Sequence, residues 1–324
     1  GDPCEPSQVC ESPEFIRIYS QNVNGISDHE GIMYEQSMKT MKEAEASIFA
    51  FNETHGDDLN AKHNSLVYKA KNRIFNHTEG NFCQTVTSSS NAPITSFTKP
   101  GGNMMGINGP LVGRLQRKIS DKYGRWCGFV LLGKDNREIL ILTAYNVPQD
   151  TPAGDDTLHA QQTSQYLIDK VEKPNPRKLF IKDLLTLIKT AVAEDQDIIL
   201  MGDFNETIGE DPRMMAKVLT AGRLTDIHAN RHGLKTNIAT YIRGKRRVDY
   251  CFASPRLMDH VLRCGFEAFH ALIGSDHRGY YVDLSMQGLF DRRLPTIISP
   301  SERCIRSSHP RLVKRYIEKL HKYF

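Results

Sequence analysis

The stretch Asp197-Ile-Ile-Leu-Met-Gly-Asp-Phe-Asn205 joins a short apolar strand to a polar turn. A continuous apolar run of this length is typical of a central strand covered on both faces. Asp203 and Asn205 follow at its C-terminal end, and side chains two positions apart on an extended chain point the same way. A carboxylate there can activate water while an amide holds a phosphoryl oxygen. Asx turns use the same residues, so this stretch alone leaves both interpretations open.

Four more short polar motifs lie elsewhere along the chain, and most of the five end or adjoin an apolar run. They are Gln21-Asn22-Val23-Asn24-Gly25, Asn52-Glu53-Thr54-His55, Arg247-Val248-Asp249-Tyr250 and Ser275-Asp276-His277. In α/β proteins the strand ends meet at one edge of the sheet, where ligands bind. The ordered set therefore predicts that carboxylates, amides and one imidazole gather around a metal ion and a phosphate.

The elements around these motifs alternate between strands and helices. Residues 14–23 and 47–51 have the pattern of strands, and residues 31–46 between them have helical spacing. This β-α-β unit favours a parallel strand pair in a covered sheet. Because the alternation continues to residue 285 without a linker, we expect a single α/β domain over residues 14–285.

Three local expectations concern the connections between these elements. The Gly-rich stretch at 101–106 predicts hairpin turns, since no Gly-Lys-Ser/Thr follows that would make it a phosphate-binding loop. Asp211-Pro212 and Ser254-Pro255 each resemble an N-cap followed by proline at the first helical position. The helix after Ser254 is expected to run to about Arg263.

The composition is that of an ordinary globular protein, since 39% of the 324 residues are hydrophobic and 25% are charged. The net charge of +4 is unevenly distributed, because residues 286–324 carry nine Lys/Arg and three Asp/Glu. Such a basic segment indicates either a solvated linker or contact with a polyanion. We expect residues 1–13 to be a disordered leader, and 286–324 a basic linker that ends in an amphipathic helix.

Cysteine usage and hydropathy bear on the location of the protein. The seven cysteines form no Cys-x-x-Cys pair and no zinc pattern, which favours reduced thiols. No stretch of 18 apolar residues occurs, so we expect no membrane span. The residues before the first strand lack the pattern of a signal peptide, so we expect none. These features together predict an intracellular protein.

Glu53 is the first candidate for a metal ligand. Mg²⁺ prefers hard oxygen ligands, keeps several waters, and needs only one or two protein carboxylates besides a substrate phosphate. Glu53 follows an apolar strand, and Asn22 and Asp276 are its candidate helpers. The alternative is that the Glu53 carboxylate stabilises the N-terminus of the following helix.

Asp249 and His277 are a candidate pair for proton and charge chemistry. An aspartate that bonds one imidazole nitrogen fixes the tautomer and raises the basicity of the other nitrogen, which would let His277 contact the scissile phosphate. Tyr145 ends the strand predicted over 137–147 and could donate its hydroxyl to a phosphate. The alternative for Tyr145 is a packed aromatic at the end of a strand.

A basic loop leads directly into Asp249, with Thr240 at its start. Four cations beside a metal site suit a nucleic-acid backbone. The alternative is a solvated hairpin tip, which the turn-forming Gly244 would allow. The residues predicted to contact nucleic acid are Thr240, Arg243, Lys245, Arg246 and Arg247.

The ordered motifs resemble those of the endonuclease/exonuclease/phosphatase superfamily, which includes DNase I-like and exonuclease III-like enzymes. The resemblance covers residues 14–285 and implies a four-layer α/β sandwich of two packed mixed β-sheets flanked by helices. It also implies that water cleaves a P–O bond by in-line attack, with Mg²⁺ as the cofactor and Mn²⁺ as a substitute.

The resemblance further implies roles for the metal ligands. Glu53 would carry the metal ion, with Asn22 and Asp276 as supporting ligands. Thr240 matches a hydroxyl that contacts phosphate in some nucleases. One position departs from the family pattern, because Asn52 stands where the family usually has Gln before the metal-binding Glu. Since Glu53 itself is retained, we expect metal binding to survive this change.

The catalytic roles are also implied by the resemblance. Asp203 would orient or deprotonate the attacking water. Asn205 and Tyr145 would bind the phosphate. Asp249 would orient His277, which would stabilise the developing charge or the leaving group.

Within the superfamily, the run at 246–250 looks like the version that nucleases have of the strand containing Asp249. The motifs, including those at 99–102 and 274–279, are most similar to the endonuclease domains of LINE-type (non-LTR) retrotransposons. That resemblance implies nicking of target DNA, a reverse transcriptase domain in the same polyprotein, and a nuclear location. Two other functions stay open: a phosphatase or phosphodiesterase acting on small or lipid phosphates, and a catalytically silent nucleic-acid-binding module.

Overall fold

The computed structural model describes residues 15–290, except 27, 29, 76–81, 94–98, 149–153, 155–156 and 235–237, together with 313–314 and 316–318. The strands in this part of the chain are β1 (Phe15–Asn22), β2 (Ala46–Asn52), β3 (Cys83–Ser88), β4 (Asn103–Asn108), β5 (Leu115–Ser120), β6 (Trp126–Leu132), β7 (Glu138–Tyr145), β8 (Asp197–Asp203), β9 (Thr225–Asp226), β10 (Asp249–Ala253), β11 (Val261–Phe266) and β12 (Tyr280–Ser285).

The helices are α1 (Ile32–Glu43), α2 (Ala61–Ile74), α3 (Leu158–Ile168), α4 (Pro176–Ala193), α5 (Met215–Gly222), α6 (Ile227–His232), α7 (Pro255–Met258) and α8 (Met286–Phe290). Their starts follow the expected chemistry. Asn175 caps α4 by accepting a hydrogen bond from the backbone N–H of Lys178, and Pro176 occupies the first turn. Asn60 and Thr157 cap α2 and α3 in the same way.

Twelve strands form two sheets of six strands each. The first sheet has the strand order β11-β12-β1-β2-β4-β3, and the second has the order β5-β6-β7-β8-β10-β9. The β1–β2 and β7–β8 pairs are parallel, whereas the other described pairs are antiparallel. Both sheets are therefore mixed, and the β-α-β unit predicted at the start of the chain is confirmed.

Three apolar layers hold these sheets and helices together. Side chains of both sheets, such as Ile18 and Ile141, meet in a central core. On the outer face of the second sheet, Phe180 and Leu184 of α4 pack against the strands, and α5 joins them. On the outer face of the first sheet, Met38 of α1 packs with residues of α2 and the strands. The order helix, sheet, sheet, helix confirms the predicted four-layer sandwich.

The strand registers bring several predicted site residues to the same edge. In the second sheet, Asp203 at the end of β8 pairs with Tyr145 at the end of β7 and with Asp249 at the start of β10. In the first sheet, Asn22 ends β1 opposite Asn52 at the end of β2. Because the two sheets pack face to face, these two rows of polar residues meet above the central core.

Three local predictions were wrong. The Gly-rich stretch predicted as hairpin turns contains β4, a strand between β2 and β3. The glycine at 106 is needed there, because a Cβ at that position would lie 2.0 Å from the ring of Phe49. The helix after Ser254 ends at Met258, and β11 replaces its predicted second half. Helix α5 starts at Met215 rather than after Asp211, so Asp211 is not its N-cap.

The chain continues beyond residue 285 as α8, whose Leu289 and Phe290 join the central core. Residues 313–314 and 316–318, within the segment predicted to end in an amphipathic helix, are helical, and Tyr316 and Ile317 are exposed. The remaining residues of the predicted basic linker, and the leader 1–13, lie outside the described residues. No helix in the described part of the chain is long and apolar enough to cross a membrane.

Candidate active site

Asn22 links the two sheets at the site. Its side-chain Nδ2 donates one hydrogen bond to Oε2 of Glu53, at 2.8 Å, and another to Oδ2 of Asp203, at 3.0 Å. Asn22 and Glu53 belong to the first sheet and the loop that follows it, whereas Asp203 ends β8 of the second sheet. A single buried amide thus holds the predicted metal ligand next to the predicted water-activating carboxylate.

Tyr145 completes the environment of Glu53. Its hydroxyl donates to Oε1 of Glu53 at 2.6 Å, so both oxygens of this carboxylate accept hydrogen bonds from neutral groups. Burial raises the pKa of Tyr145, and the negative charges of Glu53 and Asp203 raise it further. The hydroxyl therefore remains a proton donor at neutral pH.

His277 lies between two carboxylates. Its Nδ1 is 2.9 Å from Oδ2 of Asp249, and its Nε2 is 3.9 Å from Oδ2 of Asp203. Burial lowers the pKa of His277, but the charge of Asp249 and the hydrogen bond to it outweigh this effect and raise the pKa to about 10. Burial raises the pKa of Asp203 to about 7, and the charge of Asp249 adds to the rise.

Asn205 reaches the site by a turn rather than by the extended chain that the sequence pattern suggested. Its φ of 49° places it in the left-handed region, and its backbone N–H donates to Oδ1 of Asp203 at 3.0 Å. The side-chain Nδ2 donates to the carbonyl oxygen of Asn146 at 2.8 Å and approaches Oδ2 of Asp203 at 3.4 Å. The Asx turn and the proximity to Asp203 therefore occur together.

Asp276 lies on the Asn22 side of the cluster. Its Oδ2 accepts a hydrogen bond from Nδ2 of Asn24 at 3.3 Å, and the backbone N–H of Asn24 donates to Oδ1 of Asn22 at 3.1 Å. Ser275 donates to the carbonyl oxygen of Asn22 at 2.6 Å. These contacts connect the segment that carries Asp276 and His277 to the end of β1.

Four non-glycine residues around the site adopt left-handed backbone conformations. Their φ values are 45° for Asn24, 52° for Glu53, 56° for His55 and 49° for Asn205. This region is uncommon for L-residues other than Asn and Asp and costs about 1 kcal/mol or more each. Such strain is typical of functional sites that the surrounding structure holds in place.

The residues predicted to contact nucleic acid divide into two groups. Arg243, Lys245 and Arg246 are exposed, although Arg246 also pairs with Glu210 at 3.1 Å. Arg247 is buried, pairs with Asp226, and covers the ring of Tyr250. The accessible cations of the loop are therefore the first three.

Thr240 is also buried, and its hydroxyl oxygen accepts hydrogen bonds from the backbone N–H groups of Val248, at 3.0 Å, and Asp249, at 3.2 Å. The next residue, Tyr241, packs its ring against His277 with 5.0 Å between the ring centroids. Thr240 thus fixes the start of β10, and the loop lies directly beside the imidazole.

Asn52, where the family usually has Gln, takes part in a buried polar contact below Glu53. Its Nδ2 donates to Oδ1 of Asn103 at 2.6 Å and to the hydroxyl of Thr143 at 3.0 Å. Asn103 belongs to β4 and Thr143 to β7, so this contact spans both sheets. The shorter amide therefore supports the strand end that carries Glu53.

A cavity of about 640 Å³ opens beside Asn205. Arg177, Lys178 and Arg246 supply its cations, while Glu206 and Glu210 are among its carboxylates. Arg177 pairs with Glu206 at 3.3 Å. The cavity therefore has mixed charge and adjoins the site through Asn205.

The charges of the site fit a divalent cation. The carboxylates of Asp203 and Asp249 face the imidazole of His277, Glu53 is linked to Asp203 through Asn22, and Asp276 precedes His277 in the chain. Among the ion pairs of the described residues, none joins Lys or Arg to any of these four carboxylates. One ligand atom from each of Asp203, Asp249 and His277 lies within 4.8 Å of the others. Hard oxygen donors in excess of positive charge are what Mg²⁺ requires.

Sequence reasoning missed three residues that contact the site residues. Gln21 donates to the carbonyl oxygen of His277, Asn24 holds Asp276, and Ser275 bonds the backbone of Asn22. All three belong to the motifs singled out in the sequence. Their positions within those motifs were the available signal, whereas their hydrogen-bond partners depend on the packing of the two sheets.

A family model supports the same interpretation. The model of the endonuclease/exonuclease/phosphatase family matches residues 20–277, which is most of the chain and every element that contributes to the site. The chain belongs to this family. Membership and the cluster of carboxylates around His277 together make it a metal-dependent hydrolase of phosphate esters. No curated protein matches the chain significantly in sequence.

Solved structures show the same family fold at low sequence identity. The AP endonuclease LMAP from Leishmania major is 14% identical, with a TM-score of 0.59 over 84% of this chain and 88% of that one. The 3' phosphatase NExo from Neisseria, bound to a product DNA hairpin, is 15% identical, with a TM-score of 0.54 over 83% and 99%. The 3'-5' exonuclease from Neisseria meningitidis is 14% identical, with a TM-score of 0.54 over 83% and 100%. These likenesses support the fold.

Proposed function

We propose that this chain is a Mg²⁺-dependent endonuclease that hydrolyses the DNA backbone. The observation that carries this proposal is a series of contacts: Asn22 donates hydrogen bonds to Glu53 and Asp203, Asp203 lies 3.9 Å from Nε2 of His277, and Nδ1 of His277 is hydrogen-bonded to Asp249. It joins a metal-binding carboxylate, a water-activating carboxylate and an imidazole in one place. In-line hydrolysis of a phosphodiester uses groups that activate the attacking water and groups that stabilise the developing charge.

In this proposal Glu53 and Asp276 supply carboxylates to a hard cation, and Asn22 supports Glu53, because its Nδ2 donates to Glu53 while its Oδ1 accepts from the backbone of Asn24. When bound, Mg²⁺ supplies charge stabilisation at the phosphoryl oxygens. Mn²⁺ accepts the same oxygen ligands and is expected to substitute. In this proposal Tyr145 and Asn205 bind a phosphoryl oxygen by hydrogen bonds.

Asp203 and His277 perform the proton and charge chemistry in this proposal. Asp203 is buried, faces the site, and accepts the proton of the attacking water or orients that water. His277 is held by Asp249 with its Nε2 directed towards the phosphate, where a protonated imidazole stabilises developing negative charge or the leaving oxygen.

DNA is the proposed substrate because of the basic loop beside the imidazole. Arg243 and Lys245 are exposed, and Ile242 between Tyr241 and Arg243 donates its backbone N–H to the carbonyl oxygen of Asp276 at 2.8 Å. The loop is therefore tied to the catalytic segment while its cations face solvent. A polyanionic backbone that enters the site meets these cations first.

We further propose that the nicking activity is that of a LINE-type retrotransposon endonuclease. The support is the resemblance of the motifs at 99–102 and 274–279, together with the exposed basic loop. In this case the partner is a reverse transcriptase domain of the same polyprotein, and the protein works in the nucleus. A reverse transcriptase reading frame beside the coding sequence is the expected finding, and a neighbouring frame of another kind would remove the support.

A nicking assay tests the proposed activity. The protein with Mg²⁺ is expected to convert supercoiled plasmid into open circles, and EDTA is expected to stop the reaction. Glu53→Gln keeps the size of the side chain but removes its charge, so it serves as the matched inactive variant. Inositol phosphates, phospholipid headgroups and nucleotides are assayed in parallel. Turnover of those small phosphates without nicking would favour a phosphatase, and binding of duplex DNA without cleavage would favour a silent binding module.

A further inference from the structure

The side-chain amide of Gln21 is buried next to the active site and is fully hydrogen-bonded. The residue is 3% exposed. Its Nε2 donates to the carbonyl oxygen of His277 at 2.9 Å and to that of Ile273 at 3.2 Å. Its Oε1 accepts a hydrogen bond from the hydroxyl of Tyr19 at 2.6 Å. Both donors of the amide and its acceptor are therefore occupied.

Tyr19 determines which way this amide points. Burial raises the pKa of Tyr19, so its hydroxyl remains protonated and can donate to the oxygen of Gln21. The nitrogen of Gln21 must then face the two carbonyl oxygens. Gly279 makes room for Tyr19, because a Cβ at that position would lie 2.0 Å from the tyrosine hydroxyl.

The two carbonyl groups bracket the catalytic segment. Ile273 and His277 stand at either end of the five residues that include Ser275 and Asp276. Successive side chains of a strand point to opposite faces, so Gln21 and its neighbour Asn22 act on different sides of β1. Asn22 contacts the carboxylates of the site, while Gln21 holds the segment that delivers His277 and Asp276.

We propose that Gln21 is a positioning residue for catalysis, which clamps the 273–277 segment to β1 and thereby fixes His277 and Asp276 relative to Asn22. This inference rests on the proposed function. A catalytic group must be held within about 0.5 Å of its productive position, so release of the clamp lowers the rate of the chemical step. Gln21 itself touches neither the substrate nor the metal ligands' side chains in this role.

Gln21→Met is the main test variant, because it keeps the length of the side chain and removes all three hydrogen bonds. We expect kcat for plasmid nicking to fall tenfold or more, with KM within twofold. Gln162→Met is the matched control. Gln162 is also buried, and its Nε2 donates to the carbonyl oxygen of Tyr123 at 3.1 Å. This control removes a buried amide hydrogen bond away from the site, so its kcat is expected to stay within twofold of the wild type.

Amide hydrogen exchange supplies a readout that does not depend on activity. Residues 274–278 are expected to exchange at least fivefold faster in Gln21→Met and at the wild-type rate in Gln162→Met. Tyr19→Phe removes only the group that orients the amide and serves if Gln21→Met does not fold. It is expected to lower kcat about threefold and to speed exchange in the same segment. The double variant that combines Tyr19→Phe with Gln21→Met is expected to have a kcat no lower than that of Gln21→Met alone. Both changes release the same network of hydrogen bonds.

Equal kcat values for Gln21→Met and Gln162→Met would overturn the clamp, as would a loss of kcat without faster exchange at 274–278. Failure of the proposed function is recognised separately. If the wild-type protein with Mg²⁺ does not cut DNA, the endonuclease proposal fails, and the exchange rates alone then support or overturn the clamp.

Discussion

Oδ2 of Asp249 lies 2.9 Å from Nδ1 of His277, although the two residues are 28 positions apart and flank strands of different sheets. Asp249 starts β10 of the second sheet, and His277 precedes β12 of the first. The pair therefore forms only when the two sheets pack face to face. The geometry of the pair therefore depends on the whole sandwich.

Loss of this pair is expected to abolish most of the activity. His277→Ala should lower single-turnover nicking by about 10² or more, because a positioned charge-stabilising group is removed. Asp249→Asn should have a comparable effect, and the double variant should be little worse than His277→Ala, since the two residues act as a unit. His270→Ala, which alters an exposed histidine, is the control. If the rate loss in the double variant equals the product of the two single losses, the two residues do not act as a unit.

Asp203→Asn is expected to separate activity from stability. The neutral amide should lower nicking by about 10² or more, because it cannot accept a proton from water. The pKa of Asp203 is raised to about 7 in the folded protein, so ionisation of this carboxyl is less favourable there than in the unfolded chain. At higher pH the ionised side chain therefore lowers the stability of the folded protein. Without added metal at pH 8, the variant should therefore be more stable to urea by about 1–2 kcal/mol. A less stable variant would show that neighbouring groups stabilise the charge of Asp203 in the metal-free protein.

The exposed cations of the basic loop should control the salt dependence of DNA binding. Arg243→Ala with Lys245→Ala, in an Asp203→Asn background that does not cut, should reduce the slope of log K against log salt by about one for each phosphate that the loop no longer neutralises. Binding titrations at low and at physiological salt measure this slope. Lys39→Ala, on the surface of α1, should leave it unchanged.

Arg247→Ala should behave differently from its neighbours in the loop. Its guanidinium is buried and pairs with Asp226, so removal leaves a half-buried carboxylate without its cationic partner. We expect a loss of stability of about 3 kcal/mol, measured by urea unfolding. An unchanged stability with weaker DNA binding would instead place Arg247 among the nucleic-acid contacts.

His228 should make the protein less stable in acid. It is buried on α6, neither ring nitrogen has a hydrogen-bond partner among the described residues, and it packs against Phe266 and His232. Burial lowers its pKa to about 3, and the charges of Arg247 and His232 act in the same direction. The unfolded chain, with an ordinary histidine pKa, takes up the proton first as pH falls. The stability present above about pH 6.5 is therefore lost progressively towards pH 3.

Comparison with a variant isolates this contribution from that of the carboxylates. Between pH 7.5 and 4.5 the wild type should lose about 2 kcal/mol more stability than His228→Phe, measured by urea unfolding at both values. His270→Asn, at an exposed position with a φ of 61°, should follow the wild type. Equal losses of stability in all three proteins would show that His228 is not the cause of the lower stability in acid.

Much of the fold followed from local patterns in the sequence. The alternating pattern of β1 and the apolar runs of β2, β7 and β8 are local signals, so these strands were predicted. Strand β4 was not predicted, because Asn and Gly are poor strand formers. Its conformation is favoured by neighbours on both sides, where Gly106 lets the ring of Phe49 pack. The wrong helix at 259–263 has the same cause, since pairing with β12 overrides the local signal.

The sequence by itself determined the kind of chemistry, because acidic, amide and imidazole side chains follow strands in a fixed order, and such strands end at a common edge. Only the tertiary structure decided the partners of these groups. The bond from Asn22 to Asp203 joins residues 181 positions apart, and the left-handed backbone of Glu53 gives no local signal. Such contacts depend on the register of each strand and on the packing of one sheet against the other, which arise from the whole core rather than from any single segment.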